Sequence, residues 1–224
     1  MKKAIVLLSG GLDSTTALYL AQSRGFGEIY ALTFEYGQKH DKELKSAIAI
    51  AKAAGVKEHK IVNLSLNQWK GCSLTDQDME IGDGDVNRSD IPATYVPARN
   101  MVFLSVAASY ADALGITDIF IGVSEVDYSG YVDCREEFIK AMENAINLGT
   151  VLGAEKKQKI TLHAPFMHMT KAEEIKLGVR LGVDFGLTWT CYRGDEHPCG
   201  TCDSCLLRAK AFAEAGVEDP TVSK

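Results

Sequence analysis

Residues 3–20, KAIVLLSGGLDSTTALYL, restrict what this chain can fold into more than any other stretch. Ala4–Leu8 is a short apolar run that reads as a strand buried on both faces. Ser9-Gly10-Gly11-Leu12-Asp13-Ser14 follows at once, and Thr15–Arg24 continues with helical spacing. A strand, a tight glycine turn and a helix start in that order form an anion site. Two glycines let the backbone come close to an oxyanion, and the new helix offers unpaired N–H groups at the positive end of its dipole. Ser9, Ser14 and Thr15 add hydroxyl donors. The plainer alternative is that Asp13 or Ser14 only caps the helix while the glycines only turn the chain.

The rest of the chain is consistent with a nucleotide-binding α/β unit. Glu28–Phe34 and His59–Leu64 read as strands, and Lys39–Ala54 as a helix that Gly55 stops. Arg99–Leu114 is apolar almost all round, so this helix is internal, and Pro97 sets its entry. Asp118–Val123 is a fourth strand, Glu136–Leu148 a helix, and Lys159–His163 the last strand. Thr170-Lys171-Ala172-Glu173 is a capping box opening a helix to about Leu181. Strands alternating with helices imply a parallel sheet with right-handed crossovers and a ligand at the carboxyl end of the first strand.

Three loops should reach that edge. Glu35–His40 carries Tyr36, Gln38, Lys39 and His40, and Lys39 or His40 could neutralise phosphate there. Arg99 opens the internal helix, where a guanidinium suits phosphate or carboxylate, a snorkelling arginine being the alternative. Ser124–Phe138 concentrates Glu125, Asp127, Tyr128, Asp133 and Arg135. Fixed carboxylates with aromatic rings suit a flat, purine-like ring bearing N–H donors, a polar surface loop being the alternative. Leu66–Pro97, acidic and irregular, reads as a partly mobile lid. Its Asp83–Asn87 segment imitates a calcium loop, but Arg88 and Thr94 stand where glycine and glutamate are required. Asn87-Arg88-Ser89 is an inert sequon. His163 and His168 read as structural.

Net charge of −6 argues against a general nucleic-acid surface. No apolar run approaches membrane-spanning length, and the chain opens on a strand rather than a signal sequence, so a cytoplasmic protein is expected. Of six cysteines, Cys191, Cys199, Cys202 and Cys205 fall within fifteen residues. Four thiolates in that spacing form a closed structural zinc site. An iron–sulfur cluster is the rival, but the ferredoxin pattern continues with a further cysteine and a proline, which Leu206–Ala209 does not supply. His197 could replace one ligand. Cys72 and Cys134 read as free thiols.

The first loop lacks the lysine of a Walker motif and is not G-x-G-x-x-G. It resembles the SGGxDS pyrophosphate loop of N-type ATP pyrophosphatases. Together with FEYGQKH, YVPARN, SEVDYSGYVDCREEF, LTWTCY and CGTCDSCLLR, it resembles the 7-cyano-7-deazaguanine synthase family of queuosine biosynthesis, in order through nearly the whole chain. Glu35 and Ala98 depart from the aspartate and glycine of common members. The resemblance implies a Rossmann-like, adenine nucleotide alpha hydrolase-like α/β fold over residues 1–185 and a zinc-binding carboxyl-terminal segment, 186–224. It implies that 7-carboxy-7-deazaguanine and ammonia are converted to the nitrile with ATP, releasing AMP and pyrophosphate, with magnesium beside the ATP, a structural zinc and a homodimer. Leu8, Ser9, Gly10, Gly11, Leu12, Asp13, Ser14, Thr15, Thr16 and Lys39 are then assigned to ATP. Asp13, Ser14 and Arg99 are assigned to catalysis, and Tyr36, Gln38, Glu125, Asp127, Tyr128, Asp133 and Arg135 to the deazapurine acid. Two other readings stay open: a tRNA-thiolating pyrophosphatase carrying a persulfide on a cysteine such as Cys134, and a non-catalytic nucleotide-binding regulator.

Overall fold

Alternate residues of the first strand face opposite ways, and both sets are apolar. In the computed structural model, which describes residues 1–85, 90–125 and 131–221, this strand is β1, Lys2–Leu7. Ile5 and Leu7 join one core with Leu32, Phe34, Leu104, Ala107 and Ile139. Ala4, Val6 and Leu8 join the other with Leu18, Ala21, Ala47 and Ile50. A strand covered on both sides needs helices on both sides, and the chain supplies them.

The sheet has five parallel strands in the order β3-β2-β1-β4-β5: β2 is Phe26–Glu35, β3 Glu58–Asn63, β4 Asp118–Phe120 and β5 Thr161–His163. Helices α1 (Leu12–Ser23) and α2 (Lys42–Ala53) lie on one face. Helices α3 (Arg99–Leu114) and α4 (Glu136–Gly149) lie on the other, followed by the one-turn α5, Val151–Ala154. The strand order reverses between β1 and β4, which makes the crevice at their carboxyl ends the ligand position for this fold class.

The expected elements are present, with shifted ends. The second helix starts at Lys42, not Lys39, because Gly37 turns with φ +87° and the Lys39 N–H donates to Leu74 O at 3.2 Å. β4 stops at Phe120; the Ile121 N–H still donates to His163 O at 2.9 Å, and Gly122 then turns against the start of α1. A Cβ on Gly122 would stand 2.7 Å from the carbonyl carbon of Asp13. The capping box is formed: Thr170 N–H donates to Glu173 Oε2 and Glu173 N–H to Thr170 Oγ1, opening α6, Lys171–Leu181. A last helix, α7 (Asp203–Ala215), grows directly out of the cysteine segment and packs Phe212 against Ile175, Val183 and Phe185. His163 and His168 have structural partners, Asp118 at 2.8 Å and Glu136 at 3.6 Å.

Two short stretches of the described part of the Leu66–Pro97 segment pack into the protein, and the rest is largely exposed. Cys72, Ser73, Leu74, Thr75, Thr94 and Val96 are buried, and Ser73 N–H donates to Ala93 O. Its acidic stretch is fixed to the carboxyl-terminal segment by Arg193 on Asp83 (2.7 Å) and by the Gly84 N–H on Thr201 O (2.8 Å). The sequon falls among residues 86–89, outside the described residues. Among the described residues no helix is long and apolar enough to cross a membrane.

Candidate active site

A cavity of about 360 Å³ opens at the β1/β4 crevice. Its floor is the loop between β1 and α1. Gly10 has φ +85°, and a Cβ there would clash with Glu43 O and stand 2.7 Å from Ala47 N, so only glycine lets the start of α2 close on the loop. The Trp189 N–H donates to Gly10 O at 2.9 Å and ties the carboxyl-terminal segment to the same turn. Ser9 and Ser14 hydroxyls lie 3.0 Å apart, Ser14 Oγ accepts from Ser9 N–H, and Gly11 N–H donates to Ser9 Oγ. Gly11 begins α1 without any side-chain cap, so the first-turn N–H groups stay free for an anion.

Thr15 and Thr16 are turned away from the cavity. Their hydroxyls donate to Gly11 O and Leu12 O along α1, and both side chains are buried. Gly10 contributes its conformation rather than wall surface. Leu8, Ser9, Gly11, Leu12, Asp13 and Ser14 line the cavity.

Asp13 carries a partner that sequence reasoning missed. Lys171, the first residue of α6, reaches Asp13 Oδ1 at 2.7 Å and Glu174 Oε2 at 3.0 Å. Burial works against its charge, but Asp13 and Glu174 outweigh that and hold it protonated. Glu174 is fully buried with Oε1 unpartnered, and burial raises its pKa well above the usual range. The available signal was a lysine at a helix's first position, where the dipole disfavours a cation unless something else requires it.

The opposite wall is the start of α3. Ala98 sits at φ 54°, in the left-handed region, where common members of the resembled family carry glycine. Arg99 Nη1 donates to the Tyr36 hydroxyl at 3.3 Å, and its guanidinium lies 5.7 Å from the centre of the Tyr36 ring. Burial pushes Tyr36 up to about 12, so it stays a neutral phenol. Glu43, also on the cavity wall, is pushed up to about 7 by burial against the pull of Arg99.

Several expected substrate contacts have other work. Asp133 is buried and its Oδ2 accepts from the Asn100 N–H at 2.9 Å, so it caps α3. Glu125 Oε2 accepts from the Glu136 N–H at the start of α4. Gln38 Oε1 accepts from Tyr36 N–H within its own turn, while the residue still lines the cavity. Lys39 Nζ donates to Met79 O, beside the cavity rather than in it. From the Ser124–Phe138 loop the wall takes Ser124, Tyr131 and Cys134, with Arg135 set back at the start of α4. Asp127 and Tyr128 lie outside the described residues. Cys134 accepts from Asn100 Nδ2 at 3.3 Å, and burial, with Asp133 beside it, pushes its thiol up to about 12.

The four cysteine sulfurs lie within 4.8 Å of one another. A tetrahedron with metal–sulfur bonds of about 2.3 Å has edges of about 3.8 Å, so the donor set fits zinc. Cys199 and Cys205 sulfurs are 3.9 Å apart, and backbone N–H groups of Cys199 and Cys202 donate to sulfur at 3.4 and 3.3 Å. His197 is exposed and outside the group, so all four donors are thiols. The segment also builds the cavity: Trp189, Tyr192, Ser204, Leu207 and Arg208 line it. Arg208 is buried, bidentate to Asp219 at 2.7 and 2.9 Å, and donates to Thr188 Oγ1, which holds α7 in place.

Residues 3–216 match the family model described as queuosine biosynthesis protein QueC. A protein of Clostridium kluyveri named 7-cyano-7-deazaguanine synthase is 58% identical over 98% of this chain and 97% of its own length. One so named from Dechloromonas aromatica is 52% identical over 99% and 98%. Among solved structures, an NMN synthetase from Francisella tularensis aligns with a TM-score of 0.51 at 14% identity, over 99% of this chain and 81% of its own. The U34-tRNA thiolase NcsA from Methanococcus maripaludis, solved with its [4Fe-4S] cluster, aligns at 0.50 and 15% over 95% and 64%. These two likenesses establish a shared fold.

Proposed function

The chain belongs to the family described as queuosine biosynthesis protein QueC, and from that premise we propose how its cavity performs the family reaction. The reaction converts 7-carboxy-7-deazaguanine and ammonia to 7-cyano-7-deazaguanine, with ATP spent through adenylated intermediates and AMP and pyrophosphate released. The observation that carries the site assignment is the uncapped start of α1 facing Arg99 across one cavity.

A carboxylate is a poor electrophile because its oxygen is a poor leaving group. Adenylation makes that oxygen leave as AMP, so ammonia can form an amide. A second adenylation, on the amide oxygen, allows its loss as AMP and leaves the nitrile. The protein's part is positioning and charge stabilisation. Ser9, Gly11, Ser14 and the first-turn N–H groups of α1 hold the pyrophosphate, with Lys171 adding charge beside them. Arg99 holds the acid's carboxylate against the α-phosphate, and Tyr36, Tyr131 and Phe103 flank the deazapurine ring. Magnesium accompanying the ATP would sit by Asp13, the carboxylate at the loop, and supply charge neutralisation there. The role of the Cys191, Cys199, Cys202 and Cys205 site is to hold zinc and fix the start of α7. We also propose a cytoplasmic homodimer acting on the free acid.

The persulfide alternative needs an easily ionised cysteine in the cavity. Cys134 is the cysteine on its wall, and burial keeps it a thiol, so it is a poor sulfur carrier. The test is stoichiometry. Each nitrile should appear with about two AMP, and the amide supplied in place of the acid should need about one. Transfer of sulfur to tRNA, or ATP hydrolysis indifferent to the acid, overturns the assignment. Metal analysis should find about one zinc per chain, and Cys202→Ser should lower stability before it touches chemistry. Iron with sulfide in place of zinc contradicts the metal assignment.

A further inference from the structure

Behind the Arg99 wall lies a second hollow of about 20 Å³. It shares Tyr36, Gln38, Glu43, Arg99 and Tyr192 with the main cavity and adds Lys39, His40 and Leu74. That volume holds about one water-sized molecule. Two polar groups face this region without a partner. His40 Nδ1 is buried and unpaired. The Glu43 carboxylate makes no hydrogen bond or ion pair with any of the described residues.

Resting on the reaction proposed above, we propose that this hollow is the ammonia subsite and that Glu43 is the base that takes the proton from the incoming ammonium ion. At neutral pH almost all ammonia is ammonium, which has no lone pair for attack. Its surplus proton passes to the Glu43 carboxylate, which becomes a carboxylic acid and later returns the proton to water. The freed lone pair forms the C–N bond at the acyl-adenylate carbon. The C–O bond to AMP breaks with its electrons on phosphate oxygen, which takes the nitrogen's remaining extra proton. Arg99 of α3 and Lys39 of the β2–α2 loop disfavour a third cation in the hollow, and burial keeps Glu43 basic against the pull of Arg99, while Tyr36, Gln38, Leu74, Tyr192 and His40 complete the wall. Burial raises Glu43 from 4.5 to about 7, so the ionised and protonated forms are both available at working pH.

The test compares two nitrogen nucleophiles in one assay. Hydroxylamine is already uncharged at neutral pH and needs no base, so it should acylate to the hydroxamate without Glu43. With ATP and 7-carboxy-7-deazaguanine, Glu43→Gln should lose about a hundredfold or more of ammonium-dependent turnover at neutral pH. Its hydroxamate formation should stay within about threefold of the natural protein, and its ammonium activity should climb more steeply as pH rises. Glu43→Asp, which keeps a carboxylate, should retain the natural preference between the two nucleophiles. Equal loss with both nucleophiles, or no loss with ammonium, overturns the role of Glu43. Hydroxamate formation by the natural protein tests the reaction itself, so failure there falls on that reading, and failure confined to the comparison falls on Glu43.

Discussion

Two helices start at the cavity from opposite sides, and they are finished differently. At α1 nothing caps the first turn: Gly11 is the N-cap, and the backbone donors face open space. At α3 the leading donors are already taken. Ala98 N–H goes to the Tyr95 hydroxyl, Arg99 N–H to Val96 O and Asn100 N–H to the buried Asp133 carboxylate. The first helix therefore offers an anion its backbone, and the second offers it the Arg99 side chain. An uncapped start binds a tetrahedral anion at close range with no side-chain ordering. A capped start gives a rigid base for one long cation, which can reach a planar carboxylate. On the reaction proposed above, one helix is built for the phosphates that ATP shares with other nucleotides, and the other for the carboxylate that is particular to the acid.

That division can be broken at the open end first. Asp13→Asn removes the charge that holds Lys171 beside the loop. AMP release should fall by about a hundredfold or more in a protein that still folds. A folded variant with unchanged AMP formation would refute the importance of this pair.

The closed end should fail more gently. Asp133→Ala leaves the buried Asn100 N–H unsatisfied and loosens α3, at a cost of about 1–3 kcal/mol in denaturant unfolding. Because Arg99 is the neighbouring residue, the acid's KM should rise more than that of ATP. Equal changes in both constants would erase the proposed distinction between the two ends.

The smallest effect sharpens the comparison. Ala98 carries positive φ without being glycine, whereas the loop at α1 uses Gly10 for its own positive φ. Ala98→Gly should relieve local strain and raise stability by about 0.5–1 kcal/mol, the unfolded chain's added freedom offsetting part of the gain. A loss of stability would mean that the left-handed turn is not strained.

Much of this was readable from residues close together in the chain. The β1–loop–α1 unit, the capping box and the cysteine cluster are all local, so their spacing carries their geometry. The Ser124–Phe138 loop was less readable. Asp133 and Glu125 look like ligands by type, but folding spends them on the amino ends of α3 and α4. A carboxylate that caps a helix and one that meets a substrate are the same residue in a sequence. The lid reading of Leu66–Pro97 had the same weakness, since its anchors, Thr201 and Arg193, lie more than a hundred residues downstream.

The amino-acid sequence by itself determined the parallel α/β class, the anion loop and the metal-donor set, because each is encoded by periodicity or by contacts within a few residues. Only the tertiary structure decided that Lys171 pairs with Asp13, that Thr15 and Thr16 turn inward, and that the cysteine segment lines the cavity. It also decided that Glu43 lines two hollows and makes no hydrogen bond or ion pair among the described residues. These facts depend on which elements meet across the sheet edge. A charge near water and the same charge near Arg99 in a buried wall differ in solvation, and solvation is set by the fold around a residue, not by its neighbours in the chain.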